Sequence, residues 1–92
     1  MTERKTAFGL CLPSVHLNGT SKDELERQLG EALEAVRDAL RKLDDAAPNG
    51  RDYYVQSKDA HTMAVNQFVQ RRAKLASVAT ELESIWEGVN EQ

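Results

Sequence analysis

The stretch that decides the fold runs from Ser21 to Asp45 and reads SKDELERQLGEALEAVRDALRKLDD. Its apolar residues recur at alternating spacings of four and three, which places them along one side of a helix. This row, the first seam, consists of Leu25, Leu29, Ala32, Val36, Ala39 and Leu43. Ser21 and Glu24 have the spacing of a capping box, and Pro48 and Gly50 end the pattern. We therefore expect a helix over about 21–46, followed by a connector over 47–58.

A second apolar pattern begins after the connector and predicts a helix over about 59–89. Its members are Ala64, Phe68, Leu75, Val78 or Ala79, Leu82, Ile85 and Val89. Arg71 and Arg72 stand where this pattern predicts an apolar residue. An arginine there either extends outward into solvent or faces a charged partner or a ligand. The two helices and their connector predict an antiparallel helical hairpin as the domain over 19–92.

Residues 1–18 precede the hairpin and are predicted to form an N-terminal arm. Residues 1–11 are mixed in character, and we expect them to be mobile. Val15 and Leu17 alternate with Ser14 and His16, which indicates extended backbone over 12–18. The segment is too short to predict a sheet. It is at most one short strand or an arm lying on the helices.

The composition predicts a thin core for a single chain. Apolar residues make up 40 % of the 92, but 11 of them are alanine and only five are aromatic. Alanine buries little apolar area, which limits the stabilisation from burial. The apolar surface also exceeds what one neighbouring helix covers, at Leu33, Leu40, Val69 and Trp86. We predict an all-α fold in which hairpins assemble into a homo-oligomeric helix bundle.

The charge is unevenly distributed along the chain. The formal net charge is −3; residues 21–45 carry −3, residues 51–74 carry +3, and residues 81–92 have four acidic residues and no basic one. An acidic chain with one small basic cluster makes nucleic acid an unlikely partner. The cationic middle is either a solvated surface, a guide for a second subunit, or an attraction for a small anion.

The single cysteine and the absence of a long apolar run suggest where the protein acts. Cys11 has no second cysteine with which to form a disulfide, which favours a reducing compartment. No run approaches the roughly 18 apolar residues of a membrane span. We therefore expect a cytoplasmic protein that does not associate with membranes.

The sequence contains no catalytic motif that we recognise. His16 and His61 lack the spacing of a metal site, and no nucleophile–base motif or phosphate-binding glycine loop is present. We predict a non-enzymatic protein with no cofactor and no metal.

The connector is the first candidate binding site. Within six residues it contains an amide, a guanidinium, a carboxylate and two phenols, in Asn49, Arg51, Asp52, Tyr53 and Tyr54. Arginine binds phosphate or carboxylate through two donors, and tyrosine adds a stacking face. The set suits a small planar anion such as a nucleotide derivative. In the alternative interpretation, Arg51 and Asp52 pair locally and the tyrosines cover the end of the bundle.

A second polar cluster precedes the first helix and comprises His16, Asn18 and Thr20. In one hairpin it lies about 36 Å from the connector by helix rise. In an antiparallel dimer, the arm of one subunit would approach the connector of the other. His16, Asn18, Arg51 and Tyr54 would then form an intersubunit site, with Arg71 and Arg72 as further candidates.

Two segments resemble small uncharacterised helical proteins of tailed bacteriophages and prophages. The segments are Leu12–Ser21, which contains VHLNGTS, and Ala47–Tyr54, which contains PNGRDYY; a looser similarity extends over about 12–89. The family pattern often continues with Pro-Gln-Gly, whereas this chain has Val55-Gln56-Ser57. The resemblance implies a phage accessory protein in the infected bacterial cytoplasm, and it carries over no catalytic residue.

That context leaves two functions open. By analogy, the connector suits a counter-defence protein that sequesters a nucleotide signal between its subunits. The alternative is a structural or regulatory helical module whose partner is a host or phage protein.

Overall fold

The computed structural model describes residues 3–92 and is mainly helical, as predicted. Helix α1 spans Lys22–Asp45 and helix α2 spans Ala60–Asn90, beside predicted bounds of about 21–46 and 59–89. A short 3-10 turn, Gly50–Asp52, lies in the connector, and two strands, β1 (Arg4–Lys5) and β2 (Cys11–Leu12), precede α1. The molecule is elongated, with extents of 62 × 22 × 16 Å. Residues 1 and 2 of the predicted arm lie outside the described residues.

Helix α1 begins with half of the predicted capping box. The Ser21 Oγ accepts a hydrogen bond from the Glu24 backbone N–H at 3.2 Å. The Glu24 carboxylate does not return to Ser21, because it accepts instead from Arg27 and Gln28. One free N–H at the helix start is therefore satisfied by the cap, and Glu24 contributes to an exposed ion pair.

Three polar contacts join α1 to α2 and show that the helices are antiparallel. Their partners, which we call the polar row, are Glu26 with Asn90, Arg37 with Glu83, and Asp44 with Arg72. Residue numbers rise along α1 as they fall along α2. Successive contacts are 11 and then 7 residues apart on α1, and 7 and then 11 residues apart on α2. Both intervals bring a residue back to about the same helix face. The polar row therefore follows one side of the hairpin.

Very little of a single chain is buried. Among the described residues only Leu33, 7 % exposed, and Val89, 0 % exposed, are buried. The expectation that Leu33 is surplus apolar surface is therefore wrong, because the hairpin covers it. In the first seam, Ala32 and Ala39 are exposed and the other four residues are half-buried. Helix α2 thus packs beside the first seam and leaves much of it open.

The N-terminal segment corrects two sequence-based expectations. Where at most one short strand was expected, β1 and β2 form an antiparallel two-stranded sheet, so the fold is not purely α. The Thr6 Oγ1 accepts from the backbone N–H groups of Phe8 and Leu10, both at 3.2 Å. Gly9 closes the loop with a φ of +82°, a conformation that glycine adopts without steric cost. These local hydrogen bonds form the turn that the apolar pattern did not reveal.

The segment after β2 lies against the end of α2, which is one of the two placements that the sequence allowed. The Gln92 side chain accepts from the Val15 backbone N–H and donates to the Pro13 carbonyl oxygen, both at 2.8 Å. Leu12 covers Gly88 so closely that a Cβ at residue 88 would lie 2.5 Å from a Leu12 methyl group. The arm and the β-hairpin therefore add a partial third layer over α2.

The Gln92 contacts predict how firmly the arm is held. Gln92→Ala removes two hydrogen bonds, each contributing roughly 0.5–1.5 kcal/mol. We expect faster hydrogen exchange at the Val15 amide and a lower urea midpoint. Gln70→Ala, at an exposed position of α2, is the matched control and should leave both values unchanged. Unchanged Val15 exchange in Gln92→Ala would show that this contact does not hold the arm.

Candidate binding surfaces

The connector is an ordered turn. The Asn49 Oδ1 accepts from the Arg51 backbone N–H at 3.0 Å and so caps the 3-10 turn. The Gly50 carbonyl oxygen accepts from the backbone N–H groups of Tyr53 at 3.0 Å and Tyr54 at 3.1 Å. Asn49 is therefore a structural member of the predicted site, since its side chain orders the backbone that presents the others.

The two tyrosines of the connector lie in different environments. Tyr53 is half-buried, and its ring centroid lies 5.9 Å from that of His61 in the first turn of α2. Tyr54 is 79 % exposed, as is its neighbour Val55 at 76 %. Tyr53 thus packs on the end of the hairpin, as the alternative interpretation supposed. Tyr54 does not, and it projects from the tip.

The charged residues of the connector are exposed and do not pair with each other. Arg51 and Asp52 form no side-chain hydrogen bond or ion pair with any residue of 3–92. The local Arg51–Asp52 pair of the alternative interpretation is therefore not formed. We call Arg51, Asp52, Tyr54 and Val55 the tip surface: two opposite charges, a phenol and an aliphatic side chain on a hydrogen-bonded turn.

The second predicted cluster lies in the turn before α1. The Gly19 N–H donates to the His16 carbonyl oxygen at 3.2 Å, and the His16 ring lies over Gly19, where a Cβ would come within 2.6 Å of the His16 Nε2. His16, Asn18 and Thr20 are all exposed, and Leu17 between them is 98 % exposed. Glycine at position 19 is therefore what allows the imidazole to close over the turn.

A single chain does not bring the two predicted clusters together. His16 and Asn18 lie before the start of α1, whereas Arg51 and Tyr54 lie beyond its end, and α1 is 24 residues long. At about 1.5 Å per residue, the helix alone separates them by about 36 Å. The composite site predicted from the sequence therefore requires two chains.

Arg72 faces a charged partner within the same chain. Its Nε and Nη2 donate to the two carboxylate oxygens of Asp44 at 2.6 and 3.0 Å. This two-point contact lowers the pKa of Asp44 and raises the pKa of Arg72. The guanidinium fork of Arg72 is thus occupied, while Arg71 is exposed and forms no ion pair with the described residues.

A large groove between the helices lies away from every predicted site residue. It has a volume of about 840 Å³ and is bordered by Gly30, Leu33 and Trp86 between the helices. Six carboxylates and two guanidinium groups line it, from Glu26, Glu31, Glu34, Asp38, Glu83, Glu87, Arg27 and Arg37. Both arginines already pair with glutamates, so the groove does not favour an anion. In the antiparallel register, Gly30, which has no side chain, lies beside Trp86. This pair is the feature of the sequence from which the groove could have been predicted.

A smaller groove of about 240 Å³ separates the β-hairpin from α2. Phe8 and Leu10 face Ser77, Thr80, Glu81 and Ser84 across it. Neither groove includes a residue of the connector.

Within residues 3–92, no group of three His, Cys, Asp or Glu side chains is placed to hold a metal ion. No helix of the same residues has the length and apolar character to cross a membrane.

The Asp44–Arg72 pair predicts a pH dependence of stability. Because Arg72 lowers the pKa of Asp44 from its ordinary value of 3.8, the pair stabilises the folded state above that value. The contribution is lost as the pH falls through the folded-state pKa. We expect Asp44→Asn to lower the urea midpoint at pH 6, and the difference from wild type to vanish in strong acid. Asp45→Asn, an exposed neighbour, is the control and should show no such difference; a constant Asp44→Asn difference down to strong acid would contradict the pairing.

Comparisons with known proteins gave no match for this chain. No model of a known protein family, no curated protein and no solved structure matches it.

Proposed function

We propose that this protein is a non-enzymatic, homo-oligomeric accessory protein that binds another protein through its tip surface. The observation that carries the proposal is the state of Arg51, Asp52, Tyr54 and Val55. They are exposed, they stand on a hydrogen-bonded turn, and no described residue pairs with their side chains. A pre-ordered surface binds at a lower entropic cost than a flexible one.

The shape and chemistry of the tip favour a protein partner. Small-molecule sites are concave, and the tip residues line neither groove of the hairpin. Tyrosine and arginine are enriched among the residues that dominate protein interfaces. The tip surface offers one of each, beside an exposed valine.

The placement of the two histidines supports a function without a catalytic step. His16 lies over Gly19 before α1, and His61 lies against Tyr53 in the first turn of α2. The long axis of the hairpin separates them, so a single chain does not combine them in one site. The resemblance of two segments to phage proteins supports a role in the cytoplasm of an infected bacterium, with a host or phage protein as partner.

The proposal predicts the effect of tip substitutions on partner binding. Tyr54→Ala and Arg51→Ala should each recover at least about tenfold less of one specific partner from bacterial cells, as expected for residues that dominate an interface. Lys58→Ala, at an exposed connector position outside the tip surface, should recover it normally. The measurement is quantitative affinity purification with mass spectrometry, after circular dichroism has confirmed the helical fold. Equal recovery by all variants would contradict binding through the tip.

A nucleotide-type ligand is the second candidate, and the unpaired Arg51 beside the exposed Tyr54 favours it. A guanidinium without a carboxylate partner is available for a phosphate, and a free phenol ring is available for stacking. The site would become concave only between subunits, with His16 and Asn18 of one chain near Arg51 and Tyr54 of another. The protein would then act by sequestering a nucleotide signal.

This second candidate predicts a thermal shift. Cyclic dinucleotides, cyclic trinucleotides or ADP-ribose should raise the melting temperature of the wild type at concentrations above the dissociation constant. His16→Ala and Arg51→Ala should each abolish the shift, and an equimolar mixture of the two should recover part of it, because mixed oligomers contain intact sites. No shift with any of these ligands, together with recovery of a protein partner, would favour the first candidate.

A further inference from the structure

The hairpin has two long sides that differ in chemistry. Successive helix residues are separated by about 100°. Leu33 of α1 is buried within the hairpin, whereas Ala32, the residue before it, is exposed. The first seam contains Ala32. It therefore points away from the direction in which α1 contacts α2, toward one long side of the hairpin. None of its six residues lines the large groove, which opens beside the polar row.

Helix α2 adds apolar residues to the side where the first seam lies. Because both helices are right-handed and antiparallel, the residue before each contact position points to the same side on both. Arg72 and Trp86 are contact positions of α2, paired with Asp44 and close to Gly30. The row one residue earlier is Arg71, Val78 and Ile85, of which Val78 is 42 % exposed and Ile85 is half-buried. We call this side, formed by the first seam with Val78 and Ile85, the open side.

Apart from Arg71 near the connector, the open side is free of charge, although helix α1 is otherwise densely charged. Helix α1 has 13 charged residues among its 24, yet none of the six residues of the first seam is charged. The seam extends from Leu25 to Leu43, a length of about 27 Å by helix rise. A long uncharged strip with exposed alanines at alternate positions allows close approach of another helix.

The distribution of charge along the hairpin identifies the partner. The part nearest the chain ends, residues 21–39 with 79–92, has three basic and ten acidic residues, a net charge of −7. The part nearest the connector, residues 40–78, has seven basic and four acidic residues, a net charge of +3. A second copy placed antiparallel lays each positive part over a negative one. A parallel copy would place the two parts of charge −7 side by side.

We propose that the open side is the interface of a two-fold antiparallel dimer, in which two hairpins form a four-helix bundle. This inference rests on the self-association in the proposed function and names its surface and its orientation. The two-fold axis crosses the seam near its middle, so each copy presents the same residues to the other. The arrangement also carries the connector of one chain toward the arm of its partner.

The first experiment tests the surface by sedimentation velocity of the full chain. The wild type should sediment as a species of twice 10.3 kDa at tens of micromolar. Ala32→Glu and Ala39→Glu place a carboxylate at exposed positions of the seam and should each shift the equilibrium at least tenfold toward the monomer. Ala73→Glu, an exposed alanine of α2 outside the open side, is the matched control and should remain dimeric.

The second experiment tests the orientation and needs no seam variant. A spin label is attached at Asp52→Cys in a Cys11→Ser background, and the distance between labels is measured by double electron–electron resonance. The antiparallel dimer places the labels tens of ångströms apart, on the scale of the 62 Å length of the hairpin. A parallel dimer places them within about 20 Å, since packed helices lie about 8–10 Å apart.

The possible results separate this inference from the proposed function. A dimer that persists in both seam variants overturns the interface. A dimer with a short distance between the labels overturns the antiparallel orientation. Either result leaves self-association intact. A monomeric wild type overturns both the interface and the proposed self-association. Binding of a partner at the tip is measured separately and does not depend on either result.

Discussion

Two helices can bury only the surfaces that face each other, and every other feature of this molecule follows from that limit. Leu33 and Val89 are the buried residues of the described chain. Burial of each of these two side chains contributes roughly 1.5–3 kcal/mol. The polar row adds exposed contacts, which contribute little individually. Further layers over its remaining apolar surface would therefore stabilise the hairpin.

The chain supplies one such layer itself. The β-hairpin and the arm lie on α2, where Leu12 covers Gly88 and Gln92 holds the backbone of Pro13 and Val15. The first seam keeps Ala32 and Ala39 exposed, and its other four residues are half-buried. A second copy is the layer that the charge distribution favours. In that arrangement the helices serve mainly for assembly, and the exposed side chains at the ends of the bundle remain available for binding.

The sequence predicted what depends on local periodicity and not what depends on how the elements pack. The spacing of the first seam and the cap at Ser21 were sufficient for α1. They did not reveal the burial of Leu33, because this depends on the side from which α2 approaches. The partner of Arg72 is 28 residues away, and the choice among its alternatives required the interhelical register. In the connector, composition identified the polar residues, but only the fold separates a packed Tyr53 from an exposed Tyr54.

The dependence of thermal stability on protein concentration tests most directly whether the hairpin needs a second copy. If folding is coupled to dimerisation, mass action raises the melting temperature as the concentration increases. Calorimetry or circular dichroism over about two decades of concentration, from micromolar upward, should therefore show a steadily rising midpoint. A midpoint independent of concentration, in a chain that sediments at 10.3 kDa throughout, would contradict the account, because the single hairpin would then be stable alone.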